Sequence, residues 1–285
     1  MSFPMDKYVV AGNPVEHSQS PFIQSEFARQ TGQAMEYGRQ LIPLDGFVTA
    51  IRALADGGAK GCNITVPFKF HAFELAARRT PRAELARAAN VLRFDAAGWL
   101  GDNTDGIGLV HDIERNAEVP LAGARVLLIG AGGAAAGALG PLLAAHPAEV
   151  VVANRTLNKA KALVERHRPV AAETLLSAAT LEGCGRDFDV VINASASSLQ
   201  GAAVPVSPVT LAPGALALDM MYGAAAAPFL AWAEDHGARG RDGLGMLVEQ
   251  AAAAFELWRG VQPATAPVLA ALRERMSNAA KAAAT

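Results

Sequence analysis

The chain's 285 residues are 51% apolar and 18% charged, with a formal net charge of −2. That composition argues against a disordered chain, and the interspersed charges argue against a nucleic-acid groove or a membrane-surface patch. The length allows one large domain or two ordinary ones, each with a sizeable core.

The two cysteines, Cys62 and Cys184, stand far apart and outside metal-ligand spacing. This points to a reducing compartment without disulfides, and no metal site is expected. The opening "MSFPMDKYVV" lacks the basic-then-apolar plan of a signal peptide. No apolar run reaches the roughly 18 residues of a membrane span. Ala134 to Ala145 comes nearest and is broken by Gly137, Gly140 and Pro141. The expectation is a soluble cytoplasmic protein, monomer or homodimer, acting on a small molecule, with no nucleic-acid or membrane partner.

In chain order, "KYVVAG" reads as a strand closed by the turn "GNP". "SPFIQSEFARQTG" reads as a helix, with Ser20 as N-cap, Pro21 as its first residue and Gly32 as its stop. "MEYGRQLIP" is a second strand, "GFVTAIRALADGG" a second helix and "GCNITVP" a third strand; "KFHAFELAARR" begins another helix. "NVLRFD" and "WLGDN" form a hairpin around Ala96, Ala97 and Gly98. From Asp105 the helix "DGIGLVHDIERN" leads onward, with Ile107, Val110 and Ile113 as its buried face.

"ARVLLIGAGGAAAGALGPLLAAH" then gives an apolar strand, a glycine-rich turn and a helix. "AEVVVANRT", "DFDVVINAS" and "GALALDMMY" are further strands, and the C-terminal part is helical. Strands alternating with helices at this spacing imply parallel sheet covered on both faces. The reading is α/β with two domains: residues 1–110 joined by the returning helices of 243–285, and residues 111–242.

In "VLLIGAGGA", Gly130, Gly132 and Ala135 satisfy the dinucleotide fingerprint G-x-G-x-x-G/A between strand and helix. Glycine permits the tight turn and a close approach of pyrophosphate to backbone N–H groups. A tight turn without a ligand shows the same pattern. The next strand ends in Asn154, Arg155 and Thr156, with Lys159 one turn later. A carboxylate there would bond the ribose of NAD; two cations instead suit the 2′-phosphate of NADP, though an ordinary solvated helix start carries such cations too.

Alternation along "GCNITVP" puts Cys62, Ile64 and Val66 on one face and Asn63 and Thr65 on the other. With Lys69 following, the polar face can line a cleft; an edge strand with a solvated lysine fits as well. Ser18 and Ser20 can aim two hydroxyls at a carboxylate, or serve as turn and cap. Asp105 in "GDNTDG" can be catalytic, or can merely favour a helix N-terminus. Gln250 lies at the rim of an apolar face formed by Leu247, Ala251, Ala254, Phe255 and Trp258. It needs a polar partner, either a bound substrate or a backbone group.

Taken together, "GNPVEHSQSP", "NITVPFK", "GDNTDG", "GAGGA", "NRT", "DMMY" and "DGLGMLVEQAA" resemble the shikimate dehydrogenases in order and spacing over nearly the whole chain. The resemblance implies an N-terminal α/β substrate domain and a Rossmann NADP(H) domain facing each other across a cleft. It implies reversible NADPH-dependent reduction of 3-dehydroshikimate to shikimate, a step toward chorismate and the aromatic amino acids. By position, Lys69 and Asp105 match the family's catalytic pair, and Ser18 and Ser20 its carboxylate-holding serines. Asn63, Thr65, Asn90, Tyr222 and Gln250 match groups that hold the substrate's other oxygens. Gly130, Ala131, Gly132, Gly133 and Ala134 match the phosphate loop, and Asn154, Arg155, Thr156 and Lys159 the adenosine-phosphate clamp. Met220 and Gly243 match the nicotinamide contacts.

The chain departs from the family where Val91 follows Asn90 in place of threonine, where Ser195 replaces a threonine, and where Phe70 stands at an often acidic position. None removes a catalytic group. Reducing a ketone leaves negative charge on its oxygen, and that charge needs a proton donor. A lysine, ordinarily protonated at neutral pH, supplies one, and Asp105 would hold its ammonium. The competing readings are a quinate or quinate/shikimate dehydrogenase, using NADP or NAD, and a non-catalytic NADP-binding regulator on the same fold.

Overall fold

The structure, a computed structural model, describes residues 5–195 and 204–283. The chain divides into two units. One runs through Gly108 and resumes at Leu247; the other is Leu109–Met246.

The first unit opens with β1 (Asp6–Gly12), α1 (Ser20–Thr31), β2 (Met35–Leu41), α2 (Phe47–Asp56), β3 (Ala59–Ile64) and α3 (Lys69–Leu75). Then come β4 (Arg78–Arg79), α4 (Pro81–Ala86), β5 (Val91–Arg93), β6 (Leu100–Asp102) and α5 (Asp105–His111). Its six-stranded sheet has the order β2-β1-β3-β5-β6-β4. β1 pairs parallel with β2 and β3, but β5 runs antiparallel to both β3 and β6. The expectation of parallel sheet therefore holds for β1, β2 and β3 and for the β4–β6 pair, and fails at β5. The hairpin read around Ala96 to Gly98 is present, with Val91 opposite Asp102 and Arg93 opposite Leu100. A hairpin strand entering next to β3 must oppose it or its partner.

Local signals explain most boundaries. α1 ends where Gly32 adopts φ 66°, as a left-handed stop requires. Its N-cap is Gln19 and not Ser20, which is the first helical residue and buried. Cys62 and Ile64 face an apolar cluster with Phe47, Ile51 and Phe68. Val66 does not share their face: β3 has ended, and Val66 is exposed. After α5 the chain continues as a π-turn, Asp112–Asn116. Leu109 and Ile113 are fully buried while Ile107 and Val110 are only half-buried, so of the face read from the spacing only Ile113 lies in the core.

The second unit holds β7 (Arg125–Ile129), α6 (Gly133–Ala144), β8 (Glu149–Ala153), α7 (Leu157–His167), β9 (Leu175–Ala179) and β10 (Phe188–Asn193). β11 (Leu211–Asp219), α8 (Ala227–Asp235) and β12 (Arg239–Arg241) complete it. Its strands are all parallel in the order β9-β8-β7-β10-β11-β12, the doubly wound order of a dinucleotide-binding sheet. Val126 to Ile129 of β7 are buried on both faces, which is why that strand reads as an unbroken apolar run. α6 passes through Pro141 and buries Ala135 to Leu139 with Leu142 and Leu143.

α9 (Leu244–Arg259) and α10 (Thr265–Ala283) return the chain to the first unit. The Trp258 ring lies 4.7 Å from that of Tyr8, and its Nε1 donates to the Leu92 carbonyl at 3.1 Å. Gly61 makes room for it: a Cβ there would stand 2.5 Å from the Leu92 oxygen and 2.7 Å from Trp258 Nε1. No helix among the described residues is long and apolar enough to cross a membrane, and among them no group of His, Cys, Asp and Glu gathers as metal ligands would.

Candidate active site

In the first unit, Lys69 begins α3 directly beyond the end of β3. A cation in the first turn opposes the helix dipole, so helix stability does not explain it. Its partner does. Lys69 Nζ donates to Asp105 Oδ2 at 2.6 Å, and the two side chains are only 18% and 6% exposed. Asp105 Oδ1 accepts from Asn90 Nδ2 at 2.8 Å. Asn90 Oδ1 in turn accepts the Thr104 N–H at 2.8 Å. Lys69 is therefore more than a solvated lysine at a helix start: it is the partly buried end of a polar chain.

Gln250 joins the same network. Its Oε1 accepts from Asn90 Nδ2 at 3.2 Å, and its Nε2 donates to the Leu247 carbonyl at 2.8 Å. Of the two partners considered for Gln250, the backbone group is present.

Beside this network, Asn63 Oδ1 accepts from the Tyr37 hydroxyl at 2.6 Å, and Asn63 Nδ2 reaches the Asn90 carbonyl at 3.4 Å. Ser18 Oγ lies 3.2 Å from Ser20 Oγ, so the two hydroxyls are adjacent, brought together by a helical turn at Gln19 (φ −88°, ψ −3°) that leads into α1. Arg39 fixes the Ser18 turn by donating to its carbonyl at 2.6 Å. Thr65 is held by its N–H to the Ala11 carbonyl at 3.0 Å. A Cβ at Gly12 would come within 2.2 Å of the Thr65 methyl, so Gly12 is needed for Thr65 to sit there.

Tyr37 is a site residue that sequence reasoning missed. Burial pushes its phenol well above the usual range, with Cys62 adding to that and a hydrogen bond with Ser20 opposing it. At neutral pH it is a neutral hydroxyl. The available signal was an aromatic in a strand otherwise flanked by Glu36, Arg39 and Gln40.

In the second unit, the glycine turn sits at the C-terminal end of β7. Gly130 has φ 114°, and a Cβ on it would lie 3.0 Å from the Ala194 carbonyl. Gly132 is the N-cap of α6 and makes no side-chain capping bond; nothing lies within 4 Å of where its Cβ would stand. The backbone N–H groups of Gly133 and Ala134 open the helix beside that free space. This is the cradle a phosphate group needs at a helix N-terminus.

At the end of β8, the Asn154 side chain donates to the Thr156 carbonyl at 2.9 Å, and Thr156 caps α7. Arg155 and Lys159 are exposed, and neither pairs with a carboxylate among the described residues. The donor set thus fits a dinucleotide with a phosphorylated ribose. Met220 follows β11, and Gly243 presses against it: a Cβ on Gly243 would be 2.4 Å from the Met220 carbonyl oxygen. Buried Asp219 braces this end of the sheet, accepting from Asn193 Nδ2 at 2.9 Å and from the Met221 N–H at 2.8 Å. Ser195 donates to Asn193 Oδ1 at 2.7 Å. Ser195 thus retains a hydroxyl where the family carries threonine. Tyr222 is half-buried in this second unit and precedes a short 3₁₀ turn, Gly223–Ala225.

The structure therefore pairs an α/β unit carrying a buried lysine–carboxylate couple with a unit of Rossmann order and glycine turn, the composition of a nicotinamide-dependent dehydrogenase. Comparison with known proteins narrows the class. Residues 10–92 match the model of the shikimate dehydrogenase substrate binding domain, residues 113–202 that of shikimate / quinate 5-dehydrogenase, and residues 243–273 that of the shikimate 5'-dehydrogenase C-terminal domain. A protein of Methylibium petroleiphilum named shikimate dehydrogenase (NADP(+)) is 59% identical over 96% of both chains. The crystal structure of an Ael1 enzyme from Pseudomonas putida is 46% identical, with a TM-score of 0.85 over 94% of this chain and 98% of that one. Shikimate 5-dehydrogenase from Thermus thermophilus, solved in complex with NADP(H) and shikimate, is 28% identical, with a TM-score of 0.82 over 95% and 99% of the two chains. The chain belongs to the shikimate dehydrogenase family.

Proposed function

We propose that this chain is an NADP-dependent shikimate dehydrogenase that reversibly reduces 3-dehydroshikimate to shikimate. The observation that carries the proposal is the Lys69–Asp105 pair at 2.6 Å, buried and braced by Asn90. A ketone gaining a hydride develops negative charge on oxygen and needs a proton at that atom. Lys69 supplies the proton; Asp105 holds the ammonium in position and balances its charge where water is scarce. In the oxidative direction the same pair accepts the proton, so acid slows that direction.

The substrate is a small polyol carboxylate. Ser18 and Ser20 offer hydroxyls for the carboxylate; Asn63, Thr65, Asn90, Tyr222 and Gln250 offer hydroxyl and amide groups for the remaining oxygens. Neutral Tyr37 orients the Asn63 carbonyl, leaving the Asn63 amide to donate. NADPH supplies the hydride when bound. The residues that would hold it are Gly130 to Ala134 at the phosphates, Asn154, Arg155, Thr156 and Lys159 at the ribose phosphate, and Met220 and Gly243 at the nicotinamide. The unit closed by Leu247 onward would be the substrate domain, and Leu109–Met246 the NADP domain. Residence in the reducing cytoplasm accords with two buried free cysteines.

Absorbance of the reduced nicotinamide, followed with shikimate or quinate and with NADP or NAD, tests the assignment. Turnover is expected with shikimate and NADP. Faster turnover of quinate, or of NAD, would overturn the substrate or the cofactor choice. Lys69→Ala is expected to lower kcat by about 10²–10⁴, the usual range for losing a general acid, with little change in KM. A kcat within a few-fold of the parent protein would refute the acid assignment.

A further inference from the structure

The motif "GDNTDG" contains a second aspartate that proton transfer leaves unused. Asp102 is fully buried at the end of β6. Its Oδ1 accepts from Thr80 Oγ1 at 2.5 Å, from Arg82 Nε at 2.7 Å and from the Asn103 N–H at 2.7 Å. Its Oδ2 accepts from Arg82 Nη2. Its backbone carbonyl takes the Asn90 N–H at 2.9 Å. One residue thus anchors both Asn90, directly before β5, and the Asn103–Thr104 link that leads into Asp105 at the start of α5.

Asn103 extends the brace. Its Oδ1 accepts the Asp105 N–H at 3.2 Å, and its Nδ2 donates to the Ala88 carbonyl at 3.0 Å. Arg82 reaches Asp102 from α4, six residues whose N-cap Thr80 accepts the Ala83 N–H at 3.3 Å. So short a helix is not stable on its own. Here it aims a planar two-pronged donor at a carboxylate. A buried ion pair is often no more stabilising than apolar residues of the same shape, but a bidentate guanidinium fixes orientation.

We propose that Arg82, acting through Asp102, is a positioning residue for proton transfer: it holds Asp105 and Asn90 where Lys69 requires them. The proposal rests on the reading of Lys69 and Asp105 as the catalytic pair.

The test is a double-mutant cycle on the purified full chain, with shikimate and NADP. Arg82→Met is expected to lower kcat by about 10- to 100-fold, the scale of a misplacement near 1 Å, while KM for shikimate and Kd for NADP stay within a few-fold. Arg82→Lys, which keeps one bond to Asp102, is expected to recover much of that loss. In a Lys69→Ala background the Arg82→Met change is expected to alter the residual rate by less than about twofold, because the group it positions is gone. A normal kcat in Arg82→Met, or an equal fold-loss with and without Lys69, would overturn the proposal and leave the catalytic pair standing. A Lys69→Ala protein with near-normal kcat would overturn the catalytic reading itself, and this proposal with it. If Arg82→Met does not fold, Arg82→Gln, which removes the charge and the two-pronged pairing, carries the cycle: a loss confined to the Lys69-containing background supports positioning, and no loss or an equal loss refutes it.

Discussion

Asp105→Asn isolates what the carboxylate does, because the side chain keeps its shape. Two donors face it: the Lys69 ammonium at 2.6 Å on Oδ2 and the Asn90 amide at 2.8 Å on Oδ1. An asparagine offers one acceptor and one donor, so whichever way its amide is turned, one of those neighbours meets an N–H. The loss is one charge-assisted hydrogen bond, about 1.5–3 kcal/mol. At about 1.36 kcal/mol per tenfold in rate, kcat is expected to fall by roughly 10- to 150-fold. The effect on stability is smaller than the roughly 3–5 kcal/mol of breaking a fully buried pair, because Lys69 is 18% exposed and its ammonium can turn to water. The assay is reduced-nicotinamide absorbance at saturating shikimate and NADP, beside thermal denaturation of the same preparation. A kcat within a few-fold of the parent, with an unchanged melting temperature, would refute the claim that Asp105 holds the proton donor.

Replacing Arg155 and Lys159 together by glutamine is expected to weaken NADP by at least about 100-fold, two charge-assisted contacts being lost, and NAD far less; equal weakening of both would mean the clamp is misread. The two glycines of the turn are expected to separate stability from cofactor binding. Gly130→Ala forces a side chain into φ 114° against the Ala194 carbonyl and costs about 1–3 kcal/mol of stability. Gly132→Ala meets no protein atom within 4 Å, so it should leave the melting temperature unchanged and raise KM for NADP; the opposite pattern would refute the cradle. Buried His167, whose Nδ1 lies 2.9 Å from the Leu163 carbonyl, has its pKa lowered chiefly by burial. Its folded pKa is below that of the unfolded chain, so between the two values the unfolded chain binds the extra proton. Stability is then fully present above about pH 6.5 and is lost as pH falls toward the folded pKa. Melting curves of His167→Met from pH 5 to 7.5 are expected to show a flatter acid limb than the parent, and identical limbs would rule the histidine out.

What the sequence made legible is what local chemistry encodes. The unbroken run before Gly130 specified a doubly covered parallel strand, and Gly32 specified a left-handed helix stop, because period and φ are properties of a few adjacent residues. The antiparallel entry of β5 beside β3 was not legible, since strand order depends on which distant edges meet. The same limit applied at the site. Lys69 alone read more simply as a solvated lysine, and Ser20 equally well as an N-cap. Only contacts 36 residues away in the first case, and across to Ser18 and Tyr37 in the second, decide between those readings.

Buried ionic partners were the hardest to find. Asp102 with Arg82, and Asp112 with Arg241 at 2.8 Å, look like ordinary surface charges in the sequence because nothing within a turn of each announces its partner. In the second pair Gly245 is the trace left behind: a Cβ there would stand 1.7 Å from Asp112 Oδ1, so a glycine in the first turn of an apolar helix marks a buried carboxylate lying against it. Where a long-range ionic contact is dense enough to exclude even a methyl group, it leaves a local signature. Where it is not, as at Arg82, the sequence carries the residues and only the fold joins them.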